Sequence, residues 1–346
     1  MKKRLSIVDI ARELNISKTT ISFILNGLAQ EKRIGNELAQ RVLKYVEEVG
    51  YKPNSLAKSL RTGKSNTIGL MVEDISNPFF ANIARLIEDK AYENGFKLTY
   101  CSTDNKTEKT KDMLQMFRDR HVDGYIIAPP EGIEDEISQL INEGFPVVLF
   151  DRYLTNVITD YVVVDNFFST YNATKHLIDQ HQYKHIAYIG FTSAQAQLQQ
   201  RLRGYKMAMS ESKNKCYIKE IVYQADVSLV IKPILTYLKK NAFIDAVVFG
   251  TNHLGACGLR VIKELGLSVP DDIAVVSFDD YEVFQLHSPT VTAIAQPIDK
   301  IADQIISLMV KRLRQPLSEK NQVETITLPT ELFIRDSSVA KHVVLE

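Results

Sequence analysis

IVDIARELNISKTTISFILNG, residues 7–27, decides the fold of the first part of the chain. Residues 7–14 place apolar side chains at the spacing of one helix face, and residues 15–17 read as a tight turn. Ser17 is of the residue type that caps a helix N-terminus, and a second helix is predicted over residues 18–26. A third helix is predicted over residues 36–49. The pattern predicts a helix-turn-helix within a three-helix unit.

The second helix presents short polar side chains and a lysine at its N-terminal end. Backbone amides, hydroxyls and a cation at a helix start suit the phosphates and base edges of a DNA major groove. The side chains that we expect to contact DNA from this helix and its cap are Ser17, Lys18, Thr19, Thr20, Ser22 and Asn26.

The distribution of charge supports DNA binding by the head. The whole chain has 42 basic and 42 acidic residues. Residues 1–64 contain 13 Lys and Arg against 6 Asp and Glu, a net charge of +7, and the remaining residues contain 29 against 36, a net charge of −7. A basic head on an acidic body is expected when one domain meets phosphate.

A short helix is predicted at about residues 54–61, with Asn54 as its N-cap and Leu56 and Leu60 on one face. A helix this short is marginal in water unless something packs on it, such as its twin in a dimer on DNA. One of the two leucines could then act as an apolar wedge in the minor groove. A plain linker is the alternative from these residues alone.

Composition bounds the class of protein. The 346 residues are 45% hydrophobic, and no apolar run reaches the roughly twenty residues of a membrane span. The N-terminus does not read as a signal peptide, so we expect a cytoplasmic protein with no membrane contact. Cys101, Cys216 and Cys257 are isolated, which favours reduced thiols. We expect no metal site, no catalytic residues and no cofactor other than a small-molecule effector.

Beyond residue 66, short apolar runs alternate with amphipathic helical stretches. Continuous apolar strands that are each followed by a helix predict parallel sheets covered on both faces, so the fold class is α/β. Two such series predict two doubly wound lobes, and the late strands require the chain to recross between them. The predicted strands are 68–72, 98–101, 124–128, 147–150 and 162–164, then 186–189, 221–223, 246–249 and 273–277, then 292–295 and 324–328. The predicted domains are residues 1–62 and 63–340.

Polar and aromatic side chains follow several of these strands. Ligands of such sheets bind at the carboxyl ends of the strands, and a two-lobed protein binds them in its cleft. Any one of these residues is as well explained by a salt bridge or a loop cap, but their convergence predicts a site for a small hydroxylated ligand. The predicted effector-binding residues are Phe80, Asp151, Arg152, Arg201, Asn252, His253, Asp279 and Gln296.

Over essentially its whole length the chain resembles LacI/GalR-type bacterial transcription regulators, most closely the purine-repressor and catabolite-control-protein branch. The segments that carry the resemblance are long and occur in order along the chain. They are the opening stretch, YKPNSLAKSLRTGKSNTIGLMVEDISNPFF, HVDGYIIAPP, RLRGY, SVPDDIAVVSFDDYE and PTVTAIAQP.

The resemblance implies a homodimer in which each second helix reads half of a palindromic operator. It implies that Asn54, Ala57 and Leu60 belong to a hinge helix, with Leu60 as the wedge, and Lys58 of this helix is also expected to contact DNA. It further implies a two-lobed, periplasmic-binding-protein-like body. In that body, Arg201 matches the family's ligand-binding arginine, and Asp279 matches the aspartate that often accepts ligand hydrogen bonds. The positions that match the family's effector cleft are Phe80, Asp151, Arg201, Asn252, Asp279 and Gln296.

Three departures from the family pattern bear on function. Phe23 stands where Arg is usual, which predicts an altered base preference. His253 stands where Asp is common, and a neutral or positive side chain there suits an anionic ligand, with simple packing as the alternative. No leucine heptad follows Arg335, so we expect a dimer rather than a tetramer.

Taken together, the sequence predicts a transcriptional repressor whose operator affinity is controlled by a small polar ligand, a sugar or sugar derivative. Three alternatives remain: control by a protein partner that docks on the body, a transport protein that binds solute in its cleft, and an enzyme. The chain contains no G-x-S-x-G, complete phosphate loop, G-x-G-x-x-G after a strand, or H-E-x-x-H, and this disfavours the enzyme.

Overall fold

The computed structural model describes residues 5–51, 63–180, 182–224, 226–315 and 322–339. The chain divides into two units, a head (Met1–Ser65) and a body (Asn66–Glu346). The predicted hinge residues lie outside the described residues; they are Asn54, Ala57, Lys58 and Leu60.

The head consists of helices α1 (Ile7–Leu14), α2 (Lys18–Leu25) and α3 (Asn36–Glu48). Asn15 adopts a left-handed conformation with φ of 51° and ends α1, which turns the chain toward α2. The Ser17 hydroxyl accepts a hydrogen bond from the Thr20 backbone N–H at 3.0 Å, so the predicted cap is confirmed. The apolar faces of the three helices meet in one core, which contains Ile10, Ile21, Ile24, Ala39 and Val42.

The body contains two six-stranded sheets with helices between the strands. The first sheet has the order β11-β5-β4-β3-β1-β2 and is parallel throughout. The second has the order β12-β10-β9-β8-β6-β7, with only β12 antiparallel. The strands are β1 (Thr67–Val72), β2 (Lys97–Ser102), β3 (Gly124–Ile127), β4 (Val147–Phe150), β5 (Asp160–Val164), β6 (Ile186–Phe191), β7 (Tyr217–Ile221), β8 (Ala246–Phe249), β9 (Ala274–Phe278), β10 (Thr292–Ala295), β11 (Thr325–Leu328) and β12 (Glu331–Phe333). The prediction of two doubly wound lobes is confirmed.

Nine helices complete the described part of the body. They are α4 (Pro78–Glu93), α5 (Thr107–Asp119), α6 (Glu134–Asn142), α7 (Asn166–Lys175), α8 (Ala196–Glu211), α9 (Val227–Lys240), α10 (Asn252–Glu264), α11 (Glu282–Leu286) and α12 (Ile298–Arg314). A π-helical turn, His176–Gln180, extends α7. In this part of the chain and in the head, no helix has the length and apolar character needed to cross a membrane.

The chain passes between the two lobes three times. It leaves the first sheet after β5, returns after β10, when α12 packs against α4, and crosses again between β11 and β12. The predicted recrossing is confirmed, because β11 pairs with β5 in the first sheet. These passages bring the carboxyl ends of the strands of both lobes to a common cleft.

One predicted strand is wrong. The strand expected at residues 221–223 is β7, which ends at Ile221, and Val222 beyond it is 63% exposed. β7 forms the edge of its sheet and is only half buried, so it tolerates Lys219 and Glu220 and lacks the continuous apolar run of an inner strand. Strand β12 was not predicted.

Candidate functional site

The predicted DNA-contacting side chains of the head lie along α2, from its N-cap Ser17 to its C-cap Asn26. Ser17, Lys18, Thr19 and Asn26 are exposed, whereas Thr20 and Ser22 are half-buried. The Thr20 hydroxyl lies 2.8 Å from that of Ser17, so these two hydroxyls are already paired. The exposed N-terminal turn of α2 therefore carries Lys18 and Thr19 as its available polar side chains.

Phe23 is half-buried on α2, next to this turn. The Lys32 ammonium lies 5.6 Å from the centre of its ring, in the geometry of a cation–π contact, and also pairs with Glu31 at 2.9 Å. The residue that departs from the family pattern thus packs against the loop before α3.

The body contains a cleft of about 730 Å³ at the carboxyl ends of the strands. All eight predicted effector-binding residues line it, from both lobes: Phe80, Asp151, Arg152, Arg201, Asn252, His253, Asp279 and Gln296. The prediction that these strand ends converge is therefore realised in the fold, as expected for parallel sheets.

Arg201 projects from α8 and is 3% exposed. Its guanidinium stacks on the Phe278 ring at 3.5 Å, and its Nε and Nη1 donate to Asn166 Oδ1 and the Gly250 carbonyl, both at 2.8 Å. Nη2 has no hydrogen-bond acceptor among the residues that the structure describes. A rigidly held guanidinium thus offers one free donor nitrogen, Nη2, in the cleft wall.

Asp151 and Asp279 occupy equivalent places, one residue after β4 and one residue after β9. Both have left-handed backbones, with φ of 65° and 67°. Gln296 Nε2 donates to Asp279 Oδ1 at 2.7 Å. Burial raises the pKa of Asp151 to about 6, and the nearby Arg152 and Arg201 oppose that rise.

The raised pKa of Asp151 predicts a dependence of stability on pH. The folded state binds this proton more tightly than the unfolded chain, so the contribution to stability is present at low pH and is lost as pH rises from about 4 to about 6. Between about pH 5 and about pH 8, the free energy of unfolding should fall by about 1 kcal/mol more in the wild type than in Asp151→Asn. Urea unfolding at both pH values measures this, and parallel pH profiles for the two proteins would contradict it.

Arg152 lines the cleft, and each of its three nitrogens already donates to at least one acceptor. Nε donates to the Pro129 carbonyl at 2.7 Å, Nη1 to Glu73 Oε2 at 2.7 Å, and Nη2 to Asn105 Oδ1 at 3.3 Å. Nη1 also reaches Gln195 Oε1, in the second lobe, at 3.2 Å. These bonds hold Arg152 in the cleft wall and link the two lobes.

Asn252 and His253 begin α10. Asn252 Nδ2 donates across the cleft to Asn77 Oδ1 at 3.1 Å, and Asn252 Oδ1 accepts from the His253 N–H at 2.7 Å. The His253 ring lies against Phe191 and Tyr223, and burial lowers its pKa, so the imidazole is neutral near pH 7. The neutral ring lacks the negative charge of the aspartate that is common at this position, but it supplies no positive charge to attract an anionic ligand.

Gln197 is a lining residue that the sequence reasoning missed. It is 5% exposed, and its Nε2 donates to Gln195 Oε1 at 3.1 Å. Its Oε1 and the Nε2 of His253 are buried without a hydrogen-bond partner in the described part of the chain. Because an unpaired buried polar atom costs free energy, both atoms favour a ligand that supplies the missing bonds. Gln197 lies one helical turn before Arg201, and that spacing was the available signal.

Phe80 lies near the start of α4, which Asn77 caps through the Phe79 N–H at 3.0 Å. Its ring packs edge-to-face against Phe150 at 6.2 Å between centroids and is 5% exposed. Phe80 therefore gives the cleft an apolar wall.

Within the described ranges, no group of three or more His, Cys, Asp or Glu side chains is arranged to hold a metal ion.

Comparison with known proteins matches both units. Residues 6–54 match the bacterial regulatory proteins of the lacI family, and residues 174–338 match a periplasmic binding protein-like domain. The chain is similar to the HTH-type transcriptional repressor PurR of Histophilus somni (strain 129Pt), with 31% identity over 338 residues that cover 96% of this chain and 98% of the relative.

Two further similar proteins have a name or a title that mentions a sugar. The ribose operon repressor of Halalkalibacterium halodurans is 29% identical over 337 residues, which cover 96% of this chain and 97% of that protein. A solved structure of a periplasmic binding protein/LacI transcriptional regulator from Alkaliphilus metalliredigens QYMF, complexed with D-xylulofuranose, is 27% identical, covers 79% of this chain and 99% of that one, and has a TM-score of 0.71. With this similarity over nearly its full length, the chain belongs to the LacI family of bacterial regulatory proteins, which are transcription regulators and not enzymes.

Proposed function

We propose that this protein is a repressor that binds a palindromic operator as a homodimer. Its affinity for DNA falls or rises when a five-carbon sugar binds in the cleft. The observation that carries the proposal is the convergence of strand-end side chains from both lobes in one cleft, joined to a basic helix-turn-helix head. In this proposal, residues 1–62 bind DNA and residues 63–340 bind the effector and form the dimer.

The unfilled hydrogen-bonding groups of the cleft suit a neutral polyol. Asp151, Asp279 and Gln197 Oε1 offer acceptors, and Arg201 Nη2 offers a donor. Sugar hydroxyls donate to the first three and accept from the last, while Phe80 covers an apolar ring face. The ribose operon repressor and the regulator complexed with D-xylulofuranose support a pentose, and the similarity to PurR makes a purine the competing ligand.

Ligand control requires that the sugar bind two conformations of the body unequally, and the same coupling must act in reverse on sugar affinity. The hydrogen bond from Asn252 to Asn77 spans the cleft, and so does the bond from Arg152 to Gln195. A sugar that changes the spacing of the lobes must break or shorten these bonds. The proposed hinge helices then gain or lose their packing on DNA.

Thermal shift with D-ribose, D-xylulose, ribose 5-phosphate and hypoxanthine tests the ligand class. A free pentose at 100 times its dissociation constant should stabilise the body by about 2.7 kcal/mol. Stabilisation by hypoxanthine or by ribose 5-phosphate alone would overturn the pentose assignment. Ribose 5-phosphate also tests whether Arg260 and Lys263, which line the same cleft, bind a phosphate group.

Selection of bound duplexes from a random DNA pool tests the DNA half of the proposal. Two copies of α2 should enrich palindromic sites, because a two-fold dimer reads two equivalent half-sites. Enrichment of non-palindromic sites would overturn the dimer, and no enrichment would overturn sequence-specific binding.

Lys18→Ala should reduce the salt dependence of operator binding. Each lost phosphate contact lowers the slope of log K against log salt by about 0.9, so a dimer with two such lysines should lose about 1.8. Titrations at several salt concentrations measure the slope. Lys206→Ala, an exposed lysine of the body, is the control and should leave it unchanged. An unaltered slope in Lys18→Ala would remove Lys18 from the DNA contacts.

A further inference from the structure

The two aspartates of the cleft have strained backbones. Asp151 and Asp279 have φ of 65° and 67°, in the left-handed region that residues other than glycine adopt at a cost in free energy. Such conformations persist only where the surrounding structure holds them. In the first lobe the residue after the aspartate, Arg152, is held by Glu73 and by the Pro129 carbonyl. The second lobe needs an equivalent restraint.

That restraint is an ion pair on the residue that follows Asp279. Arg335 Nη1 donates to Asp280 Oδ1 at 2.8 Å and its Nη2 donates to Asp280 Oδ2 at 2.7 Å, a bidentate arrangement. Gln285 Nε2 adds a third bond to this carboxylate at 3.1 Å. The two charged side chains are 19% and 11% exposed, so solvent screens the pair little.

Arg335 is itself anchored to the strands that carry the cleft residues. Its N–H donates to Thr292 Oγ1 at 2.8 Å, and its Nη1 also donates to the Val291 carbonyl at 2.7 Å. Two residues later, Ser337 Oγ donates to the Val275 carbonyl at 2.6 Å. Thr292 begins β10 and Val275 belongs to β9, so this segment is bonded to the strands that end near Gln296 and Asp279.

We propose that Arg335 is a positioning residue for ligand recognition. By holding Asp280, it keeps Asp279 in the left-handed conformation that places its carboxylate at the cleft wall, where Gln296 completes its orientation. This inference rests on the proposed function, because it takes Asp279 to contact the sugar. Arg335 lines no part of the cleft and acts only through its neighbour.

A matched ion pair provides the control. In the first lobe Arg312 Nε and Nη2 donate to Asp160 at 2.7 and 2.8 Å, and these side chains are 11% and 5% exposed. Arg312→Gln removes a bond of the same kind from residues that do not line the cleft. The two variants, Arg312→Gln and Arg335→Gln, should therefore lose similar amounts of stability, and only Arg335→Gln should affect Asp279.

Crystal structures of the two variants without ligand give the first test. In Arg335→Gln we expect Asp279 to leave the left-handed region, and in Arg312→Gln we expect it to stay there. An unchanged φ of Asp279 in Arg335→Gln would overturn the inference. If Arg335→Gln fails to fold, Arg335→Lys takes its place, because a lysine keeps the charge and loses the bidentate fork.

Calorimetric titration with D-ribose gives the second test. Arg335→Gln should bind D-ribose about tenfold more weakly than the wild type, and Arg312→Gln should bind it equally well. Added to Asp279→Asn, Arg335→Gln should cause little further loss, since it acts through Asp279. Additive losses would overturn the inference. If Asp279→Asn binds D-ribose as tightly as the wild type, the proposed cleft contacts are overturned. If the wild type does not bind D-ribose, the sugar class is overturned, and the φ of Asp279 in the crystal structures alone tests the role of Arg335.

Discussion

Arg201→Ala should weaken D-ribose binding by roughly a hundredfold. The substitution removes the Nη2 donor from the cleft and leaves Asn166 Oδ1 and the Gly250 carbonyl without their donor. A hydrogen bond from a charged group is worth about 1.5–3 kcal/mol, and the buried acceptors add their own cost. Calorimetric titration of the purified protein measures the affinity.

The neighbouring arginine is the control. Arg203→Ala removes an exposed guanidinium two residues along α8 and should leave D-ribose affinity unchanged. Arg201→Lys separates charge from geometry, because lysine cannot reproduce a guanidinium that is stacked and bonded at two nitrogens. Operator binding without sugar should survive in Arg201→Ala, because the head forms its own core. Wild-type D-ribose affinity in this variant would show that the ligand contacts lie elsewhere.

Gly204→Ala should destabilise the body by about 3 kcal/mol. A Cβ at Gly204 would lie 2.2 Å from the Phe167 carbonyl oxygen and 2.9 Å from the Tyr171 nitrogen, where α8 crosses α7. Both atoms belong to the backbone, so the two helices themselves would have to separate. Overpacking of this kind typically costs about 1–3 kcal/mol when side chains can adjust, and here they cannot relieve the clash.

Urea unfolding measures that loss. Lys206→Ala, two residues further on the same helix and exposed, is the control and should change the free energy of unfolding by less than about 0.5 kcal/mol. A Gly204→Ala variant as stable as the wild type would mean that α7 and α8 do not pack as closely as the structure has them.

Much of the head could be predicted from the sequence because its signals are local. The spacing of Ile10, Ile21 and Ile24 marks the buried faces, and Ser17 marks the start of α2. Each signal acts within one or two helical turns, where propensity and capping decide the structure. The sequence did not predict that the hydroxyls of Ser17 and Thr20 pair with each other. Each of these side chains can either take part in the cap of α2 or face outward, and the pattern does not decide between the two.

The convergence of the cleft residues was also predictable, for a topological reason. Inner strands such as β4 and β8 are continuous apolar runs, and parallel strands place their carboxyl ends at one edge of a sheet. Residues such as Asp151 and Asn252 could therefore be assigned to the cleft from their position after a strand. The edge strand β7 escaped this reasoning, because a half-exposed strand with charged residues lacks the apolar signal.

The sequence by itself thus determined the helix-turn-helix, the two doubly wound lobes and the set of strand-end residues, because periodicity and topology act through local patterns. Only the tertiary structure decided which of those side chains have free hydrogen-bonding atoms. Arg152 donates to partners 23 and 79 residues away, and Arg335 to one 55 residues away. Partners so distant in sequence are chosen by packing, which brings them within bonding distance only when the whole body has folded.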